Sequence, residues 1–244
     1  MPSLTFYGGV GEIGGNKILL EDGETRLFLD FGKNFEKERR FFDEPYLSPR
    51  EEKHLLALGV LPHIPGIYKK DQGTHNLDAV ILSHAHADHF DYIRYLKDDI
   101  PIYCGEVTKN VVIAREQSGR ASSKEYEIAG LTKTEERVSK TFRELRIGER
   151  IKIGSVGVEA MPVDHSIPGA LGLILHTSRG TVIYTGDFRR HGRRKEETEQ
   201  FIERSSKVSP AVLIIEGTNM VNARPATEDE VEQKVEKVVL STPK

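Results

Sequence analysis

Residues 78–89 read DAVILSHAHADH, a compact apolar run that passes directly into three histidines and an aspartate. DAVILS has the length and composition of a buried strand. His84 and His86 are two apart in an extended segment, so both imidazoles project to the same side. Asp88 and His89 come immediately after. Four candidate ligands therefore lie within six residues at the C-terminal end of a buried strand. Neutral imidazole with carboxylate is the donor set that suits zinc in an open, catalytic site. Cys104 is the sole cysteine, which excludes a thiolate-rich site and an internal disulfide.

Four residues cannot fill two coordination spheres, and strand ends along one edge of a sheet converge on one crevice. Two further candidates stand at such ends: His165 closes VEAMPVDH and Asp187 closes TVIYTGD. Outward from this centre the chain alternates strands with helices. LTFY, KILL and RLFLDFG read as strands, with EDGE as the turn between the last two. IPIYCG is a strand and EVTKNVVIAREQ a helix, and Phe90, Ile93 and Leu96 continue DAVILSHAHADH at helical spacing. SPREEKHLLALG is expected to be a short helix capped by Ser48, and TKTEERVSKTFREL a second one. From residue 150 strands return: RIKIGSVGVEAMPVD, ALGLILHTS, GTVIYTGD and AVLIIEGT. Cys104 is expected in the core, and His176, in an alternating strand, facing solvent.

GGVGEIGG, residues 8–15, places Gly9, Gly11 and Gly14 at GxGxxG spacing, with Asp30 21 residues beyond Gly9. A dinucleotide fingerprint needs a helix to begin inside those glycines. The adjoining residues, NKILLEDGETRLFLDF, read instead as strand, turn, strand. The glycines are therefore expected to form a tight strand connection, and no dinucleotide is expected.

The chain has 244 residues, 37% hydrophobic and 30% charged, with net charge −3. That balance is globular and gives no overall polycation for nucleic acid. No apolar run reaches the roughly 20 residues of a membrane span, and MPSLTFYGG has no leader pattern. With one cysteine, a reducing cytoplasm is the expected location. RRHGRRK, residues 189–195, comes directly after Asp187 and Phe188. Its arginines Arg189, Arg190, Arg193 and Arg194 are candidate phosphate contacts, beside the alternative of a solvated turn.

The ordered set FLDFG (Asp30), HAHADH (84–89), VDHS (His165) and YTGDF (Asp187) resembles the metallo-β-lactamase superfamily. GGVGEIGGNK, DHSIPGALGL and TGDFRRHG are similar to ribonuclease J and related nucleases with a β-CASP domain. IIEGT (Glu216) matches the acidic motif with which the β-CASP part begins. The resemblance implies an α/β fold, a four-layer αββα sandwich of two mixed sheets. It implies that His84, His86 and His165 hold one metal, that Asp88 and His89 hold a second, and that Asp187 bridges them. Two zinc ions are implied, with manganese as the alternative. Asp88, Asp30 and Glu216 are the implied catalytic residues, Asp88 orienting the attacking hydroxide and Asp30 fixing a histidine tautomer. Metals about 4 Å apart would activate a water for attack on an RNA phosphodiester. The rivals are a thioester or lactone hydrolase on the same fold and a metal-binding domain without activity.

The implied partners are RNA, with DNA as the alternative, and a second copy of the chain through a C-terminal region missing from these 244 residues. The division expected is 1–218 as the metallo-β-lactamase-like domain and 219–244 as the start of a β-CASP-like region. Related nucleases take a last histidine from beyond that region, so the 244 residues are expected to be the front of a longer enzyme. The final helix is expected to begin at Thr227 with Glu230 in a capping box, with Val231, Val235 and Val238 on one face.

Overall fold

The apolar runs at the N-terminus pair antiparallel as β1 (Ser3–Gly8), β2 (Lys17–Asp22) and β3 (Thr25–Leu29). EDGE makes the β2–β3 turn, with Gly23 at φ 64°. The structure is a computed structural model that describes residues 1–42, 47, 51–118, 124–131, 136–218 and 226–242. GGVGEIGG lies between β1 and β2 with no helix in it, and Gly9, Gly11, Gly14 and Gly15 all have positive φ. The backbone thus needs residues without a Cβ penalty there.

Short helices α1 (Phe35–Arg39) and α2 (Glu52–Ala57) come next, and β3 pairs in parallel with β4 (Ala79–Ile81). Helix α3 (Ala87–Phe90) runs into a 3-10 turn over Asp91–Tyr95, so the Phe90, Ile93, Leu96 spacing marks a buried face more than a long helix. Beyond it lie β5 (Ile102–Cys104), α4 (Glu106–Ser118), a ribbon of β6 (Ala129–Leu131) with β7 (Glu136–Val138), and β8 (Phe142–Glu144). The first sheet has the order β1-β2-β3-β4-β5-β8. The second contains β9 (Arg150–Ile153), β10 (Val156–Pro162), β11 (Leu171–Thr177), β12 (Gly180–Tyr184) and β13 (Val212–Ile214), in the order β13-β12-β11-β10-β9. Helix α5 (Lys195–Lys207) precedes β13, and α6 (Glu228–Ser241) is the last element.

Strand alternation sorts the side chains into layers. Ile18, Leu20, Leu27, Leu29, Ala79 and Ile81 of the first sheet pack against Val156, Val158, Leu171, Leu173 and Leu175 of the second. Leu19, Phe28, Val80 and Ile102 face outward onto Leu55 of α2, Phe90 and Val112 of α4. On the other side Ile174 and Ile183 meet Phe201 of α5. The result is the four-layer αββα sandwich, in which both sheets mix parallel and antiparallel pairs. Cys104 is buried in the outer core of the first sheet, and burial pushes its thiol up to about 12.

Two expectations are corrected. The stretch 132–145 contains no helix among its described residues: it supplies β7 and β8. β8 is drawn into the sheet beside β5, anchored by Ile102 N donating to Thr141 O and Leu145 N to Cys104 O. Pairing to a preformed edge outweighs the helical propensity of its charged residues. Helix α2 starts at Glu52 with Glu51 as N-cap, and Ser48 lies outside the described residues. No helix of the described residues is long and apolar enough to cross a membrane.

Candidate metal centre

The C-terminal ends of β4, β10 and β12 open onto one crevice, and each delivers its ligand candidates from a short loop. His86 is the N-cap of α3 with extended backbone, and the first turn of α3 carries Asp88 and His89. This segment is held against the end of β3 by Phe31 N donating to His89 O and Lys33 N to Ala87 O. Gly32 makes that approach possible: a Cβ there would lie 1.7 Å from the Asp88 carbonyl oxygen. His165 lies just past β10, and Asp187 just past β12 after Gly186 at φ 53°.

His84, His86, His165 and Asp187 each offer one atom, and all four atoms lie within 4.8 Å of one another. His84 Nε2 and His165 Nε2 are 3.0 and 3.1 Å from His86 Nδ1. Asp187 faces two ways. Its Oδ2 is 4.0 Å from His84 Nε2 and 3.7 Å from His165 Nε2, while Oδ1 is 3.4 Å from His89 Nε2. Asp88 Oδ2 is 3.7 Å from the same His89 nitrogen. Converging imidazole nitrogens beside a carboxylate are a donor set that fits a divalent cation. Burial keeps the three nitrogens of the first group ready: it holds His84 well below the usual histidine range, lowers His86, and brings His165 to about 4. Burial also lowers His89, but Asp30 on one side and Asp187 on the other more than reverse this, to about 10. Asp187 would be raised by burial, yet its hydrogen bond to His89 and the charges around it bring it below the usual carboxyl value.

Asp30 lies behind the cluster, fully buried. Its Oδ1 accepts from Ser83 N at 2.7 Å, and its Oδ2 accepts from Ser83 Oγ at 2.7 Å and Tyr184 Oη at 2.6 Å. The same Oδ2 is 2.7 Å from His89 Nδ1, and Ser83 Oγ is 3.0 Å from His84 Nδ1. Glu216 stands at the mouth, where Oε1 accepts from Phe188 N, the residue after Asp187.

A cavity of about 560 Å³ covers the cluster, lined by Glu12, Asn16, Asp88, Asp187, Ile215 and Glu216 among others. Among the described residues that line it there is no lysine or arginine. The four candidate arginines are engaged elsewhere, each on a carboxylate. Arg189 pairs with Asp164 and Glu228, Arg190 with Glu199, Arg193 with Asp229 and Glu232, and Arg194 with Glu197.

Sequence reading missed Asn16, Ser83 and Tyr184. Asn16 N donates to Asp88 O at 3.1 Å, and its Nδ2 is 3.1 Å from His89 Nε2, so the glycine-rich turn clasps α3. The adjacency of Asn16 to GGVGEIGG was the available signal. Tyr184 has none, because a tyrosine closing an apolar strand reads as core. Asp164, adjacent to His165, is buried and holds Arg189 Nε at 3.0 Å and Arg194 N at 3.2 Å.

The model of the beta-lactamase superfamily domain matches residues 57–226. Ribonuclease J of Sinorhizobium meliloti is 31% identical over 188 residues, covering 75% of this chain and 28% of the relative. Ribonuclease J of Mycobacterium tuberculosis is 28% identical over 189 residues, 76% of this chain and 28% of the relative. The chain therefore spans little more than a quarter of the length of these curated relatives. Among solved structures, a protein of unknown function from Enterococcus faecalis superposes with a TM-score of 0.78 at 27% identity, over 99% of this chain and 58% of that one. The matched family segment contains every histidine and aspartate of the cluster, and the chain belongs to the metallo-β-lactamase superfamily and resembles ribonuclease J.

Proposed function

We propose that this chain carries the hydrolytic centre of a metal-dependent nuclease that cleaves RNA phosphodiesters. One observation carries the reading: Asp187 presents one oxygen to His84 and His165 and the other to His89, within a chain similar to ribonuclease J. His84, His86 and His165 would hold one divalent cation, Asp88 and His89 a second, with Asp187 shared. Zinc suits these donors, and manganese accepts the same set. Bound there, the pair would supply Lewis acidity, acidifying water and offsetting charge on a phosphoryl oxygen. The chain's own residues do the positioning. Asp88 orients the attacking nucleophile from the cavity wall. Asp30 holds His89 by Nδ1 so that Nε2 points into the centre. Glu216 fixes the backbone just after Asp187, which keeps that carboxylate in register.

A second reading, a hydrolase of small thioesters or lactones, is favoured by the absence of any lysine or arginine among the described residues lining the cavity. The two readings separate in one experiment. Protein loaded with zinc or manganese is assayed on end-labelled single-stranded RNA and, in parallel, on an acyl lactone and a thioester. The expected result is one to two metals per chain by elemental analysis and RNA hydrolysis that His86→Ala removes. Loaded protein that leaves RNA intact while opening the lactone or thioester establishes the second reading. Absence of bound metal after loading at neutral pH overturns both.

A further inference from the structure

The outer face of the second sheet carries a cleft at the pole opposite the histidine cluster. β10 runs towards His165 and β12 towards Asp187, so the start of β10 and the end of β11 lie at the far pole. Strands β10 and β11 have seven residues each, which separates the poles by about 20 Å. The register aligns Lys152, Gly157, His176 and Thr181 as one cross-strand row. Gly157 leaves that row without a side chain between Lys152 and His176. The Arg150 guanidinium lies over the gap: a Cβ at position 157 would meet Nε at 2.7 Å and Nη2 at 2.8 Å.

The resulting cavity of about 470 Å³ is lined by Arg150, Lys152, Ser155, His176, Ser178 and Asp22, among others. Its charge is unbalanced. Among the described residues, neither Arg150 nor Lys152 has a carboxylate partner, in contrast to the arginines beside the metal centre. His176 does not face solvent as the strand alternation suggested: it is half-buried, and its Nε2 is buried without a hydrogen bond. The nearest carboxylate is Glu159, 3.8 Å from that nitrogen, and it is taken by Arg204 through Nε at 2.8 Å and Nη2 at 2.9 Å. Asp22 is likewise committed, accepting from Ser178 N and Ser178 Oγ.

We propose that this cleft binds a phosphate group, held by Arg150 and Lys152 with His176 Nε2 as the third partner. A planar guanidinium and a point-charge ammonium from β9, with an imidazole from β11, suit a tetrahedral dianion better than a flat carboxylate, which one guanidinium fork would satisfy. Burial, and after it the charge on Arg150, lowers the His176 imidazole, and Glu159 opposes them only in part. The site stands independently of the reaction assigned to the metal centre.

The test is an NMR titration of metal-stripped 244-residue protein with inorganic phosphate, monitored at the His176 ring resonance, which a phosphate at the distant histidine cluster does not touch. A saturable shift is expected with a dissociation constant of about 1 mM or below. Arg150→Gln with Lys152→Gln should weaken it about tenfold or more. Gly157→Val should weaken it too, because the new side chain displaces the guanidinium while every charge is retained. A His176 resonance unmoved at about 10 mM phosphate, or equal affinity in the variants, overturns the proposal. A second arm identifies the source of the phosphate. If the Gln pair lowers affinity for single-stranded RNA and flattens the salt slope by up to about 1.4, the ligand is a nucleic-acid backbone. If RNA affinity is unchanged while inorganic phosphate binding is lost, the ligand is a free phosphate compound.

Discussion

Asp30 occupies the left-handed region at φ 57° and is fully buried, yet it satisfies Ser83 N, Ser83 Oγ and Tyr184 Oη and faces His89 Nδ1. Asp30→Ala leaves those buried donors without an acceptor and puts a Cβ-bearing residue with no local hydrogen bond into a strained conformation. The expected cost is about 3–5 kcal/mol in urea denaturation. Asp30→Asn keeps the shape and should cost less. Lys17 makes a second residue-scale case. Its ammonium is buried, donates to Gly15 O at 3.0 Å, and lies 5.0 Å from the Tyr92 ring centroid. Burial lowers its pKa to about 7, so between about 7 and the unfolded value near 10.5 the unfolded state binds more protons and stability rises with pH. Below pH 7 the burial cost is present in full. Lys17→Met should therefore gain more stability at pH 6 than at pH 9, by about 2–3 kcal/mol for a folded pKa of about 7. Equal gains at both pH values would show that the amine titrates normally. The resemblance implied that Asp30 fixes a histidine tautomer, whereas the burial of Lys17 is not legible in the sequence. Asp30 can be marked by its place after an apolar run, but the groups around it come from positions 83, 89 and 184.

Helix α6 and the loop 189–194 form one unit at the scale of elements. Thr227 caps the helix and Glu230 completes the capping box, as the TEDE signature implies. No residue of α6 is buried, and its valines are exposed, Val235 at 57% and Val238 at 63%. What joins it to the body is charge: Arg189 to Glu228, Arg193 to Asp229 and Glu232, and Glu228 N donating to His191 O. Exposed pairs of this kind contribute little, so ending the chain after Thr218 should lower Tm by no more than about 2 °C in a thermal scan. The same carboxylates occupy the cations that a phosphate would use. Asp229→Asn with Glu232→Gln leaves Arg193 without a carboxylate partner among the described residues, whereas Arg189 keeps Asp164. The pair should tighten single-stranded RNA binding and steepen its salt slope by about 0.7, for one arginine released. An unchanged slope would remove Arg193 from the nucleic-acid surface. Packing in α5 behaves differently. Phe201 lies where a Cβ on Gly172 would be 2.5 Å from its ring, so Phe201→Ala opens a gap over a position with no side chain to fill it. A loss of about 3–5 kcal/mol is expected.

For the whole molecule, the cluster ties three segments far apart in the chain: 84–89 after β4, 165 after β10 and 187 after β12. A cation held between them binds the folded chain and not the unfolded one, so it stabilises the entire sandwich. At a free metal concentration about 100 times Kd the gain is about 2.7 kcal/mol, or roughly 5–10 °C in Tm. A chelator should remove that increment from the wild type and leave His86→Ala unmoved. Most of the sandwich was legible from local pattern. DAVILSHAHADH, the strand ends at His165 and Asp187, the EDGE turn and the Thr227 cap each state their role within a few residues, because alternation, ligand chemistry and capping are local. The glycine-rich turn could be told from a nucleotide loop for the same reason, since it leads into a strand and not a helix. What only the tertiary structure decided depends on pairing between distant segments. Within 136–144, β8 became strand because the edge of β5 was open to it, and β7 because β6 lay alongside. Asn16 and Tyr184 joined the centre because β2 begins, and β12 ends, at the pole where β4 ends. The four arginines found carboxylates on α5, on α6 and beside His165, where their charge is neutralised, while Arg150, lying over the gap at Gly157, and Lys152, both unremarkable in sequence, were left without a carboxylate among the described residues. Charge in a sequence is counted residue by residue, but its availability is set by which carboxylate the fold brings alongside.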